Sequence, residues 1–357
     1  MKKILIFRIG HLGDTLVALP AFWAVRRVFP NAHISLLSNA DLKNPHYISP
    51  RSVLPKSGLF DEFLTYPTNL GAILTNIGRL KLMLELRRKK FDAVIYLMPR
   101  VRTTQQIERD LKFFKLCRIH KVLGAKYLLE NTLTLNTPKP TPRIISEAKF
   151  LIDTLKHENL EINDGAANVH DLGLTEQEHA SANSWFENSI SEKQRDMPII
   201  AVAPGSKWES KVWFEDRYST VILKLVQEQN VLPVIFGGPE DREKGDRLLA
   251  RWNTGINSAG QLTVRQSAAL LDRCALYVGN DTGTMHLAAS VNVPCVAIFA
   301  AIDWIGRWEP FGSKNTVFRK TVECEGCQTA DCFNAHKCLD LVSTDEVITA
   351  CTDTLKI

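Results

Sequence analysis

Three stretches of this chain place small, polar and charged residues directly after an apolar run, where a strand hands over to a turn that can hold a ligand. In the first, Gly10-His11-Leu12-Gly13-Asp14 follows the run 4–9. Gly10 and Gly13 permit tight turning and close approach of backbone to a ligand, and Asp14 stands where it could also simply complement a helix start. The spacing matches neither Gly-x-Gly-x-x-Gly nor an NTPase phosphate loop, so both fingerprints fail. In the second, Ala203-Pro204-Gly205-Ser206-Lys207-Trp208-Glu209-Ser210-Lys211-Val212-Trp213, Gly205 and Ser206 offer backbone and hydroxyl donors and Lys207 or Lys211 a positive charge. That set suits a phosphate; as a plain basic surface loop it would need only Trp208 and Trp213 as packing anchors. The third and strongest is Gly279-Asn280-Asp281-Thr282-Gly283-Thr284-Met285-His286. It opens a helix whose free N–H groups would face an anion, although Asp281 or Thr282 could equally be a cap and His286 a satisfied core histidine.

Four of the eight cysteines, Cys324, Cys327, Cys332 and Cys338, crowd one short segment with His336 beside them. Thiolates are soft ligands and a short loop could wrap a structural zinc or iron ion, but the spacing is not that of a standard finger. Unpaired thiols are the alternative, with disulfides a third. The other four cysteines are scattered without framework spacing, which argues against a secreted disulfide scaffold.

The elements that must position these residues read as two α/β series. A strand at 4–9, a helix at 15–28 and a strand at 34–37 make an opening βαβ unit, followed by a helix at 80–89, a strand at 93–97 and a helix at 105–116. Patterning weakens between about 131 and 185, around Pro138, Pro140 and Pro142 and a helix at 145–156. A second series starts at 198–203 and continues through strands at 232–236, 276–278 and 295–299. The expected domains are therefore 1–185 and 186–357, both Rossmann-like, with the C-terminal tail a candidate to return to the first. No sequence repeat relates the halves.

Length and composition agree. A chain of 357 residues, 45% hydrophobic and 23% charged, is ordinary for a globular protein of two domains. Forty-four Lys plus Arg against 39 Asp plus Glu leaves +5, enough for weak attraction to phosphorylated ligands or an anionic membrane, and too little to argue for nucleic acid. The longest apolar stretch, near 293–302, falls short of a bilayer span and Arg8 interrupts the N-terminal one, so cytoplasmic residence is expected.

Together, in this order and at these separations, the three motifs resemble glycosyltransferase family 9, the heptosyltransferases of lipopolysaccharide core assembly, over nearly the whole chain from Ile4 to about Val347. The resemblance implies a GT-B fold, two Rossmann-like domains with parallel sheets facing a central cleft, with the acceptor on the first and the sugar nucleotide on the second. It makes Asp14 the general base on the acceptor hydroxyl and Lys211 the phosphate-binding lysine. Gly205 and Ser206 fall where donor-phosphate contacts are expected, and Asp281, Thr282, Gly283, Thr284 and His286 match the donor signature. Glu240 aligns with a ribose-binding acid and Leu262 with a residue of the base pocket; Glu240 could equally be an exposed residue after a Gly-Gly-Pro turn. No Asp-x-Asp occurs, so metal-independent, inverting transfer needing no catalytic cofactor is expected.

ADP-heptose is the donor this implies, and the acceptor a lipopolysaccharide-core or lipid-linked glycan, met at the inner face of the membrane. Among the basic residues of the first half, Arg100 and Arg102 are the best-placed acceptor contacts. Two departures bear on the sugar: Thr284 stands where many members carry proline or another small residue, and Ala300-Ala301-Ile302-Asp303-Trp304 replaces a Gly-containing turn. A non-catalytic nucleotide- or glycan-binding protein and a sugar-nucleotide epimerase or hydrolase are the competing classes. A Rossmann oxidoreductase ranks last, because the loop spacing is wrong.

Overall fold

The computed structural model describes residues 1–41, 43–44, 47–69, 71–134, 138–162 and 170–356. The chain forms two compact units, residues 1–135 with 145–173, and residues 136–144 with 174–357. The first holds a parallel sheet of β1 (Lys3–Phe7), β2 (His33–Asp41), β3 (Glu62–Thr68), β4 (Ala93–Tyr96) and β5 (Val122–Leu123), in the order β3-β2-β1-β4-β5. The second holds β6 (Ile199–Ala203), β7 (Leu232–Ile235), β8 (Ile256–Asn257), β9 (Leu276–Asn280), β10 (Cys295–Phe299) and β11 (Thr316–Arg319), in the order β11-β10-β9-β6-β7-β8, again parallel.

Central strands of such sheets are covered on both faces, which is why they read as unbroken apolar runs. Ile4, Leu5 and Ile6 of β1 and Ile200, Ala201 and Val202 of β6 have no exposure at all. The helix expected at 15–28 begins earlier and is divided into Leu12–Val17 and Leu19–Val28 at Ala18; Pro20, lacking an N–H, is tolerated because it falls in the first turn of the second piece.

The division between units falls at 173/174 rather than at the expected 185/186. The helix Glu176–Glu187 packs on the helix Val264–Leu271 of the second unit. There the buried guanidinium of Arg265 donates through Nε and Nη2 to both carboxylate oxygens of Glu178, at 2.7 and 2.8 Å. Segment 136–144 joins the same unit: Ile144 N–H donates to Ile305 O at 2.8 Å and Thr141 N–H to Glu325 Oε1 at 2.8 Å. The C-terminal tail is counted with the second unit. Its helix Thr344–Leu355 packs on the helix Glu215–Gln229 and on β9 and β10, burying Val347 and Cys351 completely.

Candidate active site

In a doubly wound parallel sheet the chain leaves the central strands in opposite directions, and the gap this opens at their carboxyl ends is the natural ligand crevice. In the first sheet that point lies between β1 and β4, and in the second between β6 and β9. The three sequence motifs occupy the turns after β1, β6 and β9.

After β1, Gly10 has φ +138°, and a Cβ there would lie 2.2 Å from that of Asp14. Glycine is therefore what lets Asp14 fold back over the turn. Asp14 Oδ2 accepts from His11 N–H at 3.0 Å, and Oδ1 lies 3.6 Å from Nη2 of buried Arg8. Arg8 also donates from Nε to the Asp14 carbonyl at 3.1 Å and from Nη1 to that of Leu97 at 3.1 Å, tying the carboxylate's turn to the end of β4. The side chain keeps 22% of its surface exposed, so the carboxylate is both oriented and reachable. Gly13 lies in the same helical turn.

Residues not singled out from the sequence complete this turn. Asn39 Oδ1 accepts from Gly10 N–H at 3.0 Å, and the Tyr47 hydroxyl donates to Asn39 O at 2.6 Å. Burial first, then neighbouring Tyr66 and Asp14, push the Tyr47 phenol up to about 12, so it acts as a neutral hydrogen-bond donor rather than as a base.

In the second unit, Lys211 Nζ and Asp281 Oδ2 form an ion pair at 2.6 Å, with side chains only 18% and 9% exposed. This joins the motif after β6 to the motif after β9. The joint is made by Asn280, which is fully buried. Its Oδ1 accepts from Trp213 N–H at 3.1 Å and from the Tyr218 hydroxyl at 2.9 Å, while Nδ2 donates to Pro204 O at 3.1 Å and Gly205 O at 3.3 Å. Asn280 is not among the residues singled out from the sequence; a polar residue closing an otherwise apolar run is the signal that could have found it. Thr282 is the N-cap of the helix Gly283–Ser290, whose first turn holds Gly283 and Thr284; His286 is buried and its ring meets Trp308 edge-on at 6.3 Å.

Ser206 Oγ accepts from Trp208 N–H at 3.2 Å, shaping the loop, and Lys207 is exposed. Gly205 lies against the Asp241 carboxyl, where a Cβ would be 1.8 Å from Oδ1. Burial pushes that carboxyl up, against the lowering effect of the Gly238 N–H. Asp241 is thus the carboxyl packed on Gly205 and Gly237, while that of the exposed Glu240 lies against Gly238 in the same turn after β7; Leu262 is half-buried beyond β8.

A cavity of about 130 Å³ opens beside Asp281, lined among others by Ala300, Trp304, Trp308, Arg143 and Arg319. Its floor is organised by Asp303, which accepts from Trp304 N–H at 2.7 Å, Trp308 Nε1 at 2.8 Å, Arg307 Nη1 at 3.1 Å and Gln328 Nε2 at 3.2 Å. Burial would raise this carboxyl, but Arg307 and these donors outweigh it and hold it below the usual range. The indole N–H of Trp304 is buried without an acceptor among the described residues.

Two expectations are corrected. Arg100 and Arg102 are buried rather than displayed to an acceptor. Arg102 donates from Nε to Asp110 and to the Tyr96 hydroxyl, both at 2.9 Å, and Arg100 stacks over Phe150 at 4.6 Å. Their charges are used inside the first unit. The four cysteines of 324–338 line one narrow pocket as free thiols, yet each sulfur accepts from a different donor: Asn334 Nδ2, Thr329 Oγ1, His336 N–H and Ala301 N–H for Cys324, Cys327, Cys332 and Cys338. Among the described residues no three His, Cys, Asp or Glu side chains are placed to hold an ion, so the zinc or iron expectation finds no ligand set.

Two doubly wound parallel units, each with its chemistry-bearing residues at the switch point, make up the GT-B architecture. Residues 152–337 match glycosyltransferase family 9 (heptosyltransferase), more than half of the chain, and the protein belongs to that family. It is 25% identical to lipopolysaccharide heptosyltransferase 2 of Escherichia coli (strain K12), over 83% of this chain and 82% of the relative. It is 24% identical to lipooligosaccharide heptosyltransferase 2 of Campylobacter jejuni subsp. jejuni serotype O:2, over 99% and 98%. A solved glycosyl transferase family 9 structure from Veillonella parvula DSM 2008 superposes with TM-score 0.74 at 20% identity, covering 99% of this chain and 97% of that one. E. coli ADP-heptose lps heptosyltransferase II superposes with TM-score 0.67 at 21% identity, covering 100% and 99%.

Proposed function

We propose that this glycosyltransferase moves heptose from ADP-heptose to a lipopolysaccharide-core or related lipid-linked glycan, with inversion at the anomeric carbon and without a divalent metal. The observation that carries the reading is the part-buried Lys211–Asp281 pair at the second sheet's switch point, beside a helix start. It offers one cation and a set of free N–H groups to a diphosphate. The relatives named for lipopolysaccharide heptose transfer support the choice of sugar and acceptor.

In the proposed step the acceptor oxygen attacks the anomeric carbon from the face opposite the nucleotide. The new C–O bond forms as the bond to the phosphate oxygen breaks, and the hydroxyl proton passes to the Asp14 carboxylate. ADP departs carrying the bonding pair, and Lys211 with the N–H groups of the turn at 282–284 neutralises that charge. Gly205 and Ser206 shape the loop that presents Lys211. Asp281, relieved of its lysine by the diphosphate, is free to accept from hydroxyls of the transferred sugar. A cation and helix termini do here what a metal does in other transferases, so no cofactor is assigned to the reaction. A lipid-linked acceptor places the reaction at the cytoplasmic face of a membrane, a reducing compartment that the eight free cysteines suit.

Asp14→Asn tests the reading. Calorimetry with ADP should match the parent protein, while transfer to a heptose-accepting lipopolysaccharide core should fall by about 10²–10⁴. A fully active variant refutes the base. Release of free heptose without acceptor would instead mark a hydrolase, and loss of transfer in EDTA would refute metal independence.

A further inference from the structure

We infer that the outer face of the helix Ala72–Lys89, together with Leu116, docks on an anionic lipid bilayer. The inference deepens the transferase reading by naming the surface through which the first unit would meet a lipid-anchored acceptor. Leu74, Ile77, Leu80, Leu84 and Leu116 are each between 45% and 57% exposed, and they make up half of the large apolar side chains that stand exposed among the described residues. Positions 74, 77, 81, 84 and 88 follow the three-and-four step of one helical stripe, with Leu80 at its edge. The opposite face is spent on the fold: Leu82 and Leu86 are buried, and the helix packs on β3.

Leu116 belongs to the same patch, because Arg87 Nε donates to its carbonyl at 2.7 Å. A soluble surface seldom leaves so many leucines together without a partner. The partner's charge follows from what lies between them. Lys81 and Arg88 share the stripe, and Arg79, Lys90, Lys115 and Arg118 are also exposed. The helix carries one acid, Glu85, which Lys89 engages at 3.8 Å. Leucines flanked by long cations whose stems can lie along apolar surface, on a helix about 27 Å long, describe an element that lies in the plane of a negatively charged interface. No helix among the described residues is long and apolar enough to cross a membrane.

Co-sedimentation with vesicles of phosphatidylcholine, with and without phosphatidylglycerol, tests this. The parent protein should pellet with the anionic vesicles, less so as salt is raised. Leu80→Glu with Leu84→Glu should weaken partitioning by about tenfold or more, and Lys81→Glu with Arg88→Glu should remove the preference for phosphatidylglycerol. Both variants alter exposed side chains, so melting temperature and ADP affinity should stay those of the parent. Transfer to acceptor embedded in vesicles should fall with partitioning, while transfer to a deacylated acceptor should not. A parent protein that stays in the supernatant, or a leucine variant that sediments as well as the parent, overturns the inference. So does a parent dimer that the leucine variant converts to monomer without any vesicle binding, which would make the face a contact between copies. Absent ADP binding and transfer would refute the transferase reading instead, leaving vesicle binding untouched.

Discussion

Lys211→Met separates what the lysine does for the fold from what it does for the leaving group. The lysine and Asp281 are 18% and 9% exposed and 2.6 Å apart, so removing the cation strands a nearly buried carboxylate. Breaking one side of a buried pair costs about 3–5 kcal/mol, and the residual exposure of Lys211 puts this pair near about 3. For a unit of roughly 190 residues that lowers the melting temperature by about 6–12 °C. Adding Asp281→Asn removes the stranded charge, and the double variant should regain most of the loss.

Activity should behave differently. A charge-assisted hydrogen bond from lysine to phosphate is worth about 1.5–3 kcal/mol, so ADP should bind Lys211→Met roughly 10–100-fold more weakly by calorimetry. Transfer should fall at least as far, and Asp281→Asn should restore neither. The reasoning is refuted by a double variant that recovers transfer along with stability, or by a Lys211→Met protein that binds ADP like the parent.

Asn280→Leu keeps the branched shape and the number of side-chain heavy atoms but strands two donors and two carbonyls; the second unit should lose about 2–4 kcal/mol in chemical denaturation, with ADP affinity falling as the loop at 204–213 loosens. Asp303 is held below its unfolded pKa, so its contribution is present above about pH 4 and disappears as pH falls through the folded value. The parent should therefore show an acid-limb loss of stability that Asp303→Asn, less stable at neutral pH, shows in weaker form; parallel pH profiles would refute this. Trp304→Phe removes the buried indole N–H from the cavity that Asp281 also lines and keeps an aromatic, if smaller, ring. If that N–H serves a sugar oxygen, KM for ADP-heptose should rise about fivefold with inhibition by ADP unchanged, whereas equal weakening of both would place Trp304 at the nucleotide.

The strands legible from composition were the interior ones. β1, β4, β6, β7, β9 and β10 are apolar because neighbours or helices cover both their faces, and 295–299 coincides with β10 to the residue. The strands that gave no clear signal, β3, β5, β8 and β11, are the four sheet edges. β5 and β8 are two residues long, β3 contains Pro67, and every residue of β11 is only partly buried. An edge has one pairing partner and looser cover, so its sequence is under less apolar constraint. The site followed a similar rule. Turns with glycine and charge after interior strands were readable, but whether a given arginine faces a ligand or a buried carboxylate depends on a residue distant in sequence or on another element, as with Arg102 and Asp110.

The two halves share no repeat, yet each solves the same electrostatic problem in the same place. A group meant to exchange a proton or meet a diphosphate must be partly desolvated, and a bare charge there would destabilise the fold before any substrate arrives. Each unit supplies an internal counter-ion from its own central strand or the turn after it: Arg8 beside Asp14 in the first, Asp281 beside Lys211 in the second. Substrate binding then becomes an exchange of partners at a charge already oriented. In the proposed reaction the donor's diphosphate has to out-compete Asp281 for the lysine, which would moderate affinity for nucleotide alone. On the proposed reading Asp281 becomes available only when a diphosphate is in place, so the carboxylate proposed to accept from sugar hydroxyls would be released by the phosphate group that accompanies the sugar.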